Sequence, residues 1–471
     1  MIEITKTSAL DLSKALAQKD LSAAELMAAT LDRIDVVNDR VNAIVSLRDR
    51  DDLIAEAQVA DQSARKGWLH GIPIAIKDLA NAKGLPTSKG SPLFAGQMPE
   101  ADDIMVARLR EAGAIVIGKT NTPEFGLGSH TFNPVHGATE NPYAPGLSCG
   151  GSSGGAAVAL ATGMLSVADG SDMMGSLRNP AGWNNVYGMR PSWGLVPSEP
   201  LGDTFLHQLS TNGPMARNPR DLAALLDTMA GPDHRQPHGV SQPPSLEQID
   251  QSDTPIRIGW LRDWGGAIPF EAGILELCET ALHSFEDLGC RVDVLDAPFS
   301  REQLWDSWVK LRNFSVSTGL GVLAANPEHR SYLKATALWE IEQGQHLSAQ
   351  DVHNESIVRS NWFATCARLF GTYDVLILPT AQVWPFDVKQ PYPTQIAGVD
   401  MDTYHRWMEV VVPASLIGLP VVAVPAGFGG PNDTPMGLQL MGARGTDAKL
   451  LALAERWHQA TDWPNQRPVP F

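Results

Sequence analysis

The residues best equipped for chemistry lie between positions 149 and 180, in the stretch CGGSSGGAAVALATGMLSVADGSDMMGSLRNP. Two serine sites, Ser152-Ser153 and Ser176, flank a short apolar segment there. Glycines at 150, 151, 154 and 155 let the chain turn sharply and let another group approach closely. A serine hydroxyl is a poor nucleophile until a base removes its proton. No His-Asp pair lies near these serines in sequence, but Lys77 ends the apolar run IPIAI. A lysine at the end of a buried strand is desolvated, so its pKa falls and part of it is neutral at working pH. Such an amine can take a proton from one serine through another. Plainer readings exist: GGSSGG alone suits a flexible loop, and an isolated lysine is usually exposed.

Other chemistries fit less well. Gly150-Gly-Ser-Ser-Gly154 satisfies G-x-S-x-G, which would make Ser152 a nucleophile with a distant Asp and His. That motif needs a strand directly before it, whereas NPYAPGLS at 141–148 is rich in turn formers. A phosphate-binding loop is excluded because no Gly-Lys-Ser/Thr follows the glycines. The 12 histidines include no HExxH, so no metal is expected. The four cysteines, Cys149, Cys278, Cys290 and Cys366, show no paired spacing and read as free thiols of a reducing compartment. Cys149, without a local histidine, reads as packing.

The elements that must hold these groups follow from periodicity. Residues 72–77 are short, apolar and β-branched, which suits a buried strand. A helix is predicted over 104–112, stopped by Gly113, then a strand at 114–117. Residues 156–160 read as the first turns of a buried helix and 165–168 as a strand. This alternation favours a layered α/β fold. The first 65 residues are helical in pattern, with a capping box from Ser22 to Glu25 and a staple of Leu21 and Leu26. Leu26, Thr30, Ile34 and Val37 then share one face. Residues 231–255 read as a long surface loop, and 256–260 as a strand. The region from 270 to 370 is mainly helical, and strands at 375–378, 421–424 and 437–441 precede a closing helix over 447–458.

Composition narrows the partners. At 471 residues the chain can bury a large core, and a net charge of −17 argues against a nucleic-acid partner. The N-terminus shows no apolar signal segment, and no stretch is apolar enough to span a membrane. A soluble, cytoplasmic protein is expected.

Several motifs, in order and over nearly the whole chain, resemble those of the amidase-signature serine hydrolases. They are GIPIAIKD at 71–78, GKTNTPE at 118–124, GGSSGG at 150–155, SDMMGSLRNPA at 171–181, PASLIGLP at 413–420 and PMGLQLMG at 435–442. The resemblance implies a single α/β/α layered domain over 1–471 around a large, mixed, twisted sheet. Within it, 1–65 would be a helical scaffold, 66–230 and 370–471 the catalytic core, and 256–369 a variable substrate-lining region. Lys77 would be the base, Ser152 the bridge preceded by a cis peptide, and Ser176 the acylating nucleophile. Backbone N–H groups of Met173, Met174, Gly175 and Ser176 would form the oxyanion hole, with Ser153 supporting the lysine and Asp172 and Arg178 bracing the loop. The ion pair of Asp172 and Arg178 also has a plainer reading as a surface pair.

The implied activity is cofactor-independent cleavage of a C–N bond in a small carboxamide, carbamate or anilide. A homodimer is left open. One departure stands out: Met174 occupies a position where the family usually has glycine, which puts backbone φ and the neighbouring pocket in question. Trp305, Trp308, Trp339, Trp362, Trp384 and Trp407, with Phe314 and Tyr404, fall in the substrate-lining region or beside it. They suggest an apolar or aryl substrate, although ordinary core packing explains them equally well. Two other readings remain: the amidase component of a tRNA-dependent amidotransferase, whose usual SDTGGSIRQPA differs from this chain, and a binding protein on a hydrolase scaffold.

Overall fold

The computed structural model describes residues 5–251 and 255–470. Residues 252–254, the end of the loop expected over 231–255, lie outside the described residues, as do the first four positions of the N-terminal scaffold. Helix α1 (Ala23–Val41) begins at the expected capping box, with the Ser22 side chain and Glu25 satisfying each other's backbone donors. Its Leu26, Thr30, Ile34 and Val37 are all buried, as their 3.6-residue spacing requires.

A small sheet joins β1 (Ile44–Val45), β2 (Pro73–Lys77) and β3 (Ile115–Thr120), with β3 in the middle. All five residues of β2 are buried, so Lys77 is carried into the interior by the strand it ends. Helix α2 (Ile104–Glu111) leads into β3 and stops before Gly113, whose φ of +98° a side chain would resist. Helix α3 (Gly154–Ala161) is buried through Leu160.

The main sheet has eight strands. In chain order they are β4 (Val167–Asp172), β5 (Tyr187–Arg190), β6 (Thr211–Ala216), β7 (Arg257–Trp260), β8 (Arg291–Val294), β9 (Val375–Pro379), β10 (Val421–Gly429) and β11 (Thr434–Met441). Across the sheet they run β8-β7-β9-β11-β10-β5-β6-β4. The β8–β7 and β7–β9 pairs are parallel and the others antiparallel, so the sheet is mixed. Strand β4 starts two residues later than the sequence predicts and runs on to Asp172, because its pairing with β6 continues to Thr211. It ends directly at the loop that carries Ser176.

Helices pack around this sheet, giving the α/β architecture. The predominantly helical region contains α4 (Ile274–Asp287), α5 (Arg301–Ala325), α6 (Ala335–Gln345) and α7 (Ala349–Leu369). Val316, Leu333, Ala337 and Ile341 from this region share a small core with Leu127, which seats the helices on the turn at 124–127. Among the described residues no helix is long and apolar enough to cross a membrane.

Candidate active site

Strand β2 lies beside β4, and a carboxylate locks the two together: Asp169 Oδ1 accepts from the Lys77 backbone N–H at 2.9 Å. The Lys77 side chain, 1 % exposed, then points at the serines. Its Nζ is 2.8 Å from Ser152 Oγ, 2.8 Å from Ser153 Oγ and 3.1 Å from Ser171 Oγ. Desolvation lowers its pKa to about 7, against the opposing pull of Asp169 and Asp172. Burial likewise raises Asp169, to about 6. The Gly151–Ser152 peptide is cis. Residue Gly150, at φ +78°, has no room for a Cβ, which would stand 2.3 Å from Asn179 Oδ1.

Ser176 reaches this group by its backbone, its carbonyl accepting from the Ser153 N–H at 3.2 Å. Its hydroxyl makes no hydrogen bond among the described residues, and at 6 % it is the most exposed of the three serines 152, 153 and 176. Direct contact therefore joins Lys77 to Ser152 and Ser153, while the Ser152–Ser176 link is open. Links of this kind often tighten only when substrate binds.

The loop before Ser176 is held from behind by a buried ion cluster. Asp172 accepts from Gly175 N–H and Leu177 N–H, each at 3.0 Å, and from Arg178 Nη2 at 2.9 Å. Both partners of the Asp172–Arg178 pair are fully buried, so the surface-pair reading does not hold. Burial alone would raise the Asp172 carboxyl, but Arg178 and Arg190 outweigh it and hold the group well below the usual carboxylate range. The Gly175 N–H is thus committed to Asp172, which corrects the expectation of four oxyanion donors. The N–H groups of Met173, Met174 and Ser176 have no acceptor among the described residues. Gly175 itself has φ +82° and its Cβ would meet Val411 Cγ1 at 2.9 Å, so glycine is required there.

Several supporting residues escaped sequence reasoning. Arg190 bonds Asp172, and Arg178 also donates to Ser415 Oγ and Gln439 Oε1, both at 2.6 Å. Ser415 and Gln439 sit inside the two C-terminal motifs, which was the available signal. Removing one member of such a cluster leaves buried charges unpaired. Asp172→Ala is expected to destabilise the fold by about 3–5 kcal/mol, read as a lowered denaturant midpoint with an unchanged slope.

Met174 does not need glycine's freedom, because it lies outside the positive-φ residues. Its thioether accepts from Trp308 Nε1 of α5 at 3.2 Å, and Met173 Sδ from Arg312 Nη1 one turn later at 3.4 Å. The two methionines therefore tie the loop to α5. For Met174→Gly we expect a loss of roughly 2–5 kcal/mol in stability, as for other buried methionine truncations. Activity should stay within about tenfold because the backbone N–H survives, which kcat/KM on one amide checks.

The tryptophans divide between the two readings. Trp407 with Tyr404 lines a cavity of about 290 Å³, whereas Trp308 is fully buried against Met174 and fits the packing reading. Trp362 likewise packs on Trp264, with ring centroids 5.6 Å apart. A second cleft, of about 360 Å³, reaches Lys77 from the side of Ser171 between Ala80, Trp193 and His207. Cys149 is a buried free thiol whose pKa burial pushes up to about 12, as its packing reading implies.

The family match and the solved relatives make this chain an amide-hydrolysing enzyme of the amidase-signature fold. The chain belongs to the amidase family, whose family model matches residues 25–451. It is 31 % identical to an acylamidase of Rhodococcus erythropolis, over 98 % of this chain and 97 % of that one. It is 34 % identical to a glutamyl-tRNA(Gln) amidotransferase component of Thermus thermophilus, over 95 % of each chain. Among solved structures, a bacterial aryl acylamidase of the amidase-signature family matches with a TM-score of 0.90 and 27 % identity, covering 98 % of this chain and 99 % of its own.

Proposed function

We propose that this enzyme is a serine amidase for apolar or aryl carboxamides and related carbamates, working through an acyl-enzyme. Ser176 Oγ attacks the carbonyl and gives its proton to Ser152, whose own proton passes to Lys77 Nζ. The oxyanion is met by the N–H groups of Met173, Met174 and Ser176; fixed donors of this kind lower a barrier by about 3–4 kcal/mol each. Collapse expels the amine, which collects the proton from the relay, and water then releases the acid by the reverse route. The observation that carries this reading is the 2.8 Å contact between a desolvated Lys77 amine and Ser152. Similarity to an acylamidase and an aryl acylamidase supports the substrate class. Four unpaired buried cysteines suit a cytoplasmic setting.

Intact-mass labelling with a fluorophosphonate, followed by peptide mapping, tests the assignment. A single adduct on Ser176 is expected. An adduct on Ser152 would restore the G-x-S-x-G reading, and no adduct would favour a binding protein on this scaffold. The similarity to an amidotransferase component supports a second reading, in which the chain works with a partner. Co-elution of a stoichiometric second chain on size exclusion would favour it, and hydrolysis of simple amides by the chain alone would count against it.

A further inference from the structure

The cavity of about 290 Å³ carries a feature that the amidase reading leaves unused. Its walls are attached to both serine loops. Ser129, on its rim, donates to Gly151 O at 2.5 Å. Tyr404, on another wall, accepts from Arg312, the residue that faces Met173. A cavity of 150 Å³ holds benzene, so this one has room for a ring or short chain with a further substituent.

Most of its lining is apolar or aromatic, including Leu127, Phe132, Tyr392 and Trp407. His130 is held neutral, since burial lowers its pKa to about 4, and both its ring nitrogens are occupied, by Ser148 Oγ at 2.8 Å and Val388 O at 2.9 Å. Lys334 is then the one charged side chain in the lining. Its ammonium has three N–H donors, and they find a single acceptor among the described residues, Leu127 O at 2.5 Å. Burial lowers the Lys334 pKa to about 8, and Glu124 and Glu340 oppose that only from a distance. Glu340 is engaged by Arg312 at 2.9 Å through both oxygens, and Glu124 Oε2 takes the Lys334 backbone N–H at 3.1 Å. Neither forms an ion pair with the Lys334 side chain. A cation with unfilled donors in an apolar wall is costly unless an anion joins it.

We propose that this cavity holds the acyl end of the substrate and that Lys334 selects a carboxylate there, so that the preferred amides are monoamides of aryl or short-chain dicarboxylic acids. The proposal rests on the amidase reading of Ser176. The test compares kcat/KM for the p-nitroanilides of glutaric acid, with one free carboxylate, and of butyric acid, on wild type, Lys334→Met, Lys334→Arg and Ser176→Ala. Wild type is expected to favour the glutaryl compound by tenfold or more. Lys334→Met should lower the glutaryl-to-butyryl ratio by roughly 10–100-fold, and Lys334→Arg should keep most of the preference.

No preference in wild type, or an equal fall for both substrates in Lys334→Met, overturns the proposal and leaves Lys334 as a clamp on Leu127. Turnover that persists in Ser176→Ala instead overturns the underlying reading of the nucleophile. Should neither anilide react, protection of Ser176 from the fluorophosphonate by glutarate and by butyrate is compared, and equal protection overturns the proposal.

Discussion

Ser176→Ala is expected to lower kcat/KM on a reactive anilide by about 10⁴-fold or more and to leave the fold intact. In serine hydrolases that act through an acyl-enzyme, loss of the nucleophile removes nearly all catalysis, roughly 10⁶-fold in a well-studied case. What survives comes from the oxyanion donors and from binding. Two features of Ser176 make the variant a clean one. Its hydroxyl has no partner among the described residues, so removing it strands no buried donor or acceptor. Its backbone carbonyl, which bonds Ser153 N–H at 3.2 Å, is unaffected. Thermal unfolding should therefore shift by no more than a degree or two. Ser152→Ala should leave more activity, since the lysine and the nucleophile remain and a water molecule can bridge them. If the Ser176 variant kept wild-type activity while that of Ser152 lost it, the roles assigned to the two serines would have to be exchanged.

The residues of this candidate site stood out in the sequence because of their chemical density, while their roles came from the family resemblance. Lys77, Ser152 and Ser176 each sit in a short motif whose glycines and apolar neighbours prescribe a strand end or a tight turn, so local sequence indicated local structure. The strands expected at 72–77, 114–117 and 421–424 were also legible, because these runs are short and apolar, and each is buried and overlaps an observed strand. What the sequence could not disclose is pairing at a distance. That β2 lies against β4 of the larger sheet, so that Asp169 holds the Lys77 backbone, depends on how the two sheets pack rather than on any local pattern. The same holds for Arg190, and still more for Ser415 and Gln439 more than 230 positions away, which converge on Asp172 and Arg178 from other elements. Met174 shows the opposite case. The family resemblance asked for glycine there, and the answer lay in Trp308 of α5, which gives the thioether a donor. Lys334 gave no local sign at all, being a lone lysine ahead of an unremarkable helix.

Lys77→Met is expected to separate activity from stability. With the base removed, kcat/KM should fall by roughly 10³-fold or more, and the shape of the pH profile should change as well. In wild type the amine must be neutral to accept a proton, and desolvation places its pKa at about 7. The rate should therefore rise with pH up to about 7 and level off above it, and that inflection should be missing from the variant's residual rate. The effect on stability follows from the same shift. Folding depresses the Lys77 pKa from 10.5 to about 7, so between those values the unfolded chain holds a proton that the native protein has released. Stability due to this group rises with pH wherever the unfolded state binds more protons. Relative to Lys77→Met, wild type should gain stability across that window, at about 1.4 kcal/mol per pH unit at most. The penalty of burying the charged amine is complete below pH 7, so any advantage of the methionine variant in thermal unfolding should be largest at that end and shrink toward pH 10. A difference that stayed flat over this range would mean that Lys77 is not desolvated as its surroundings require. It would then have no means of being neutral near pH 7, and the base would have to be sought elsewhere.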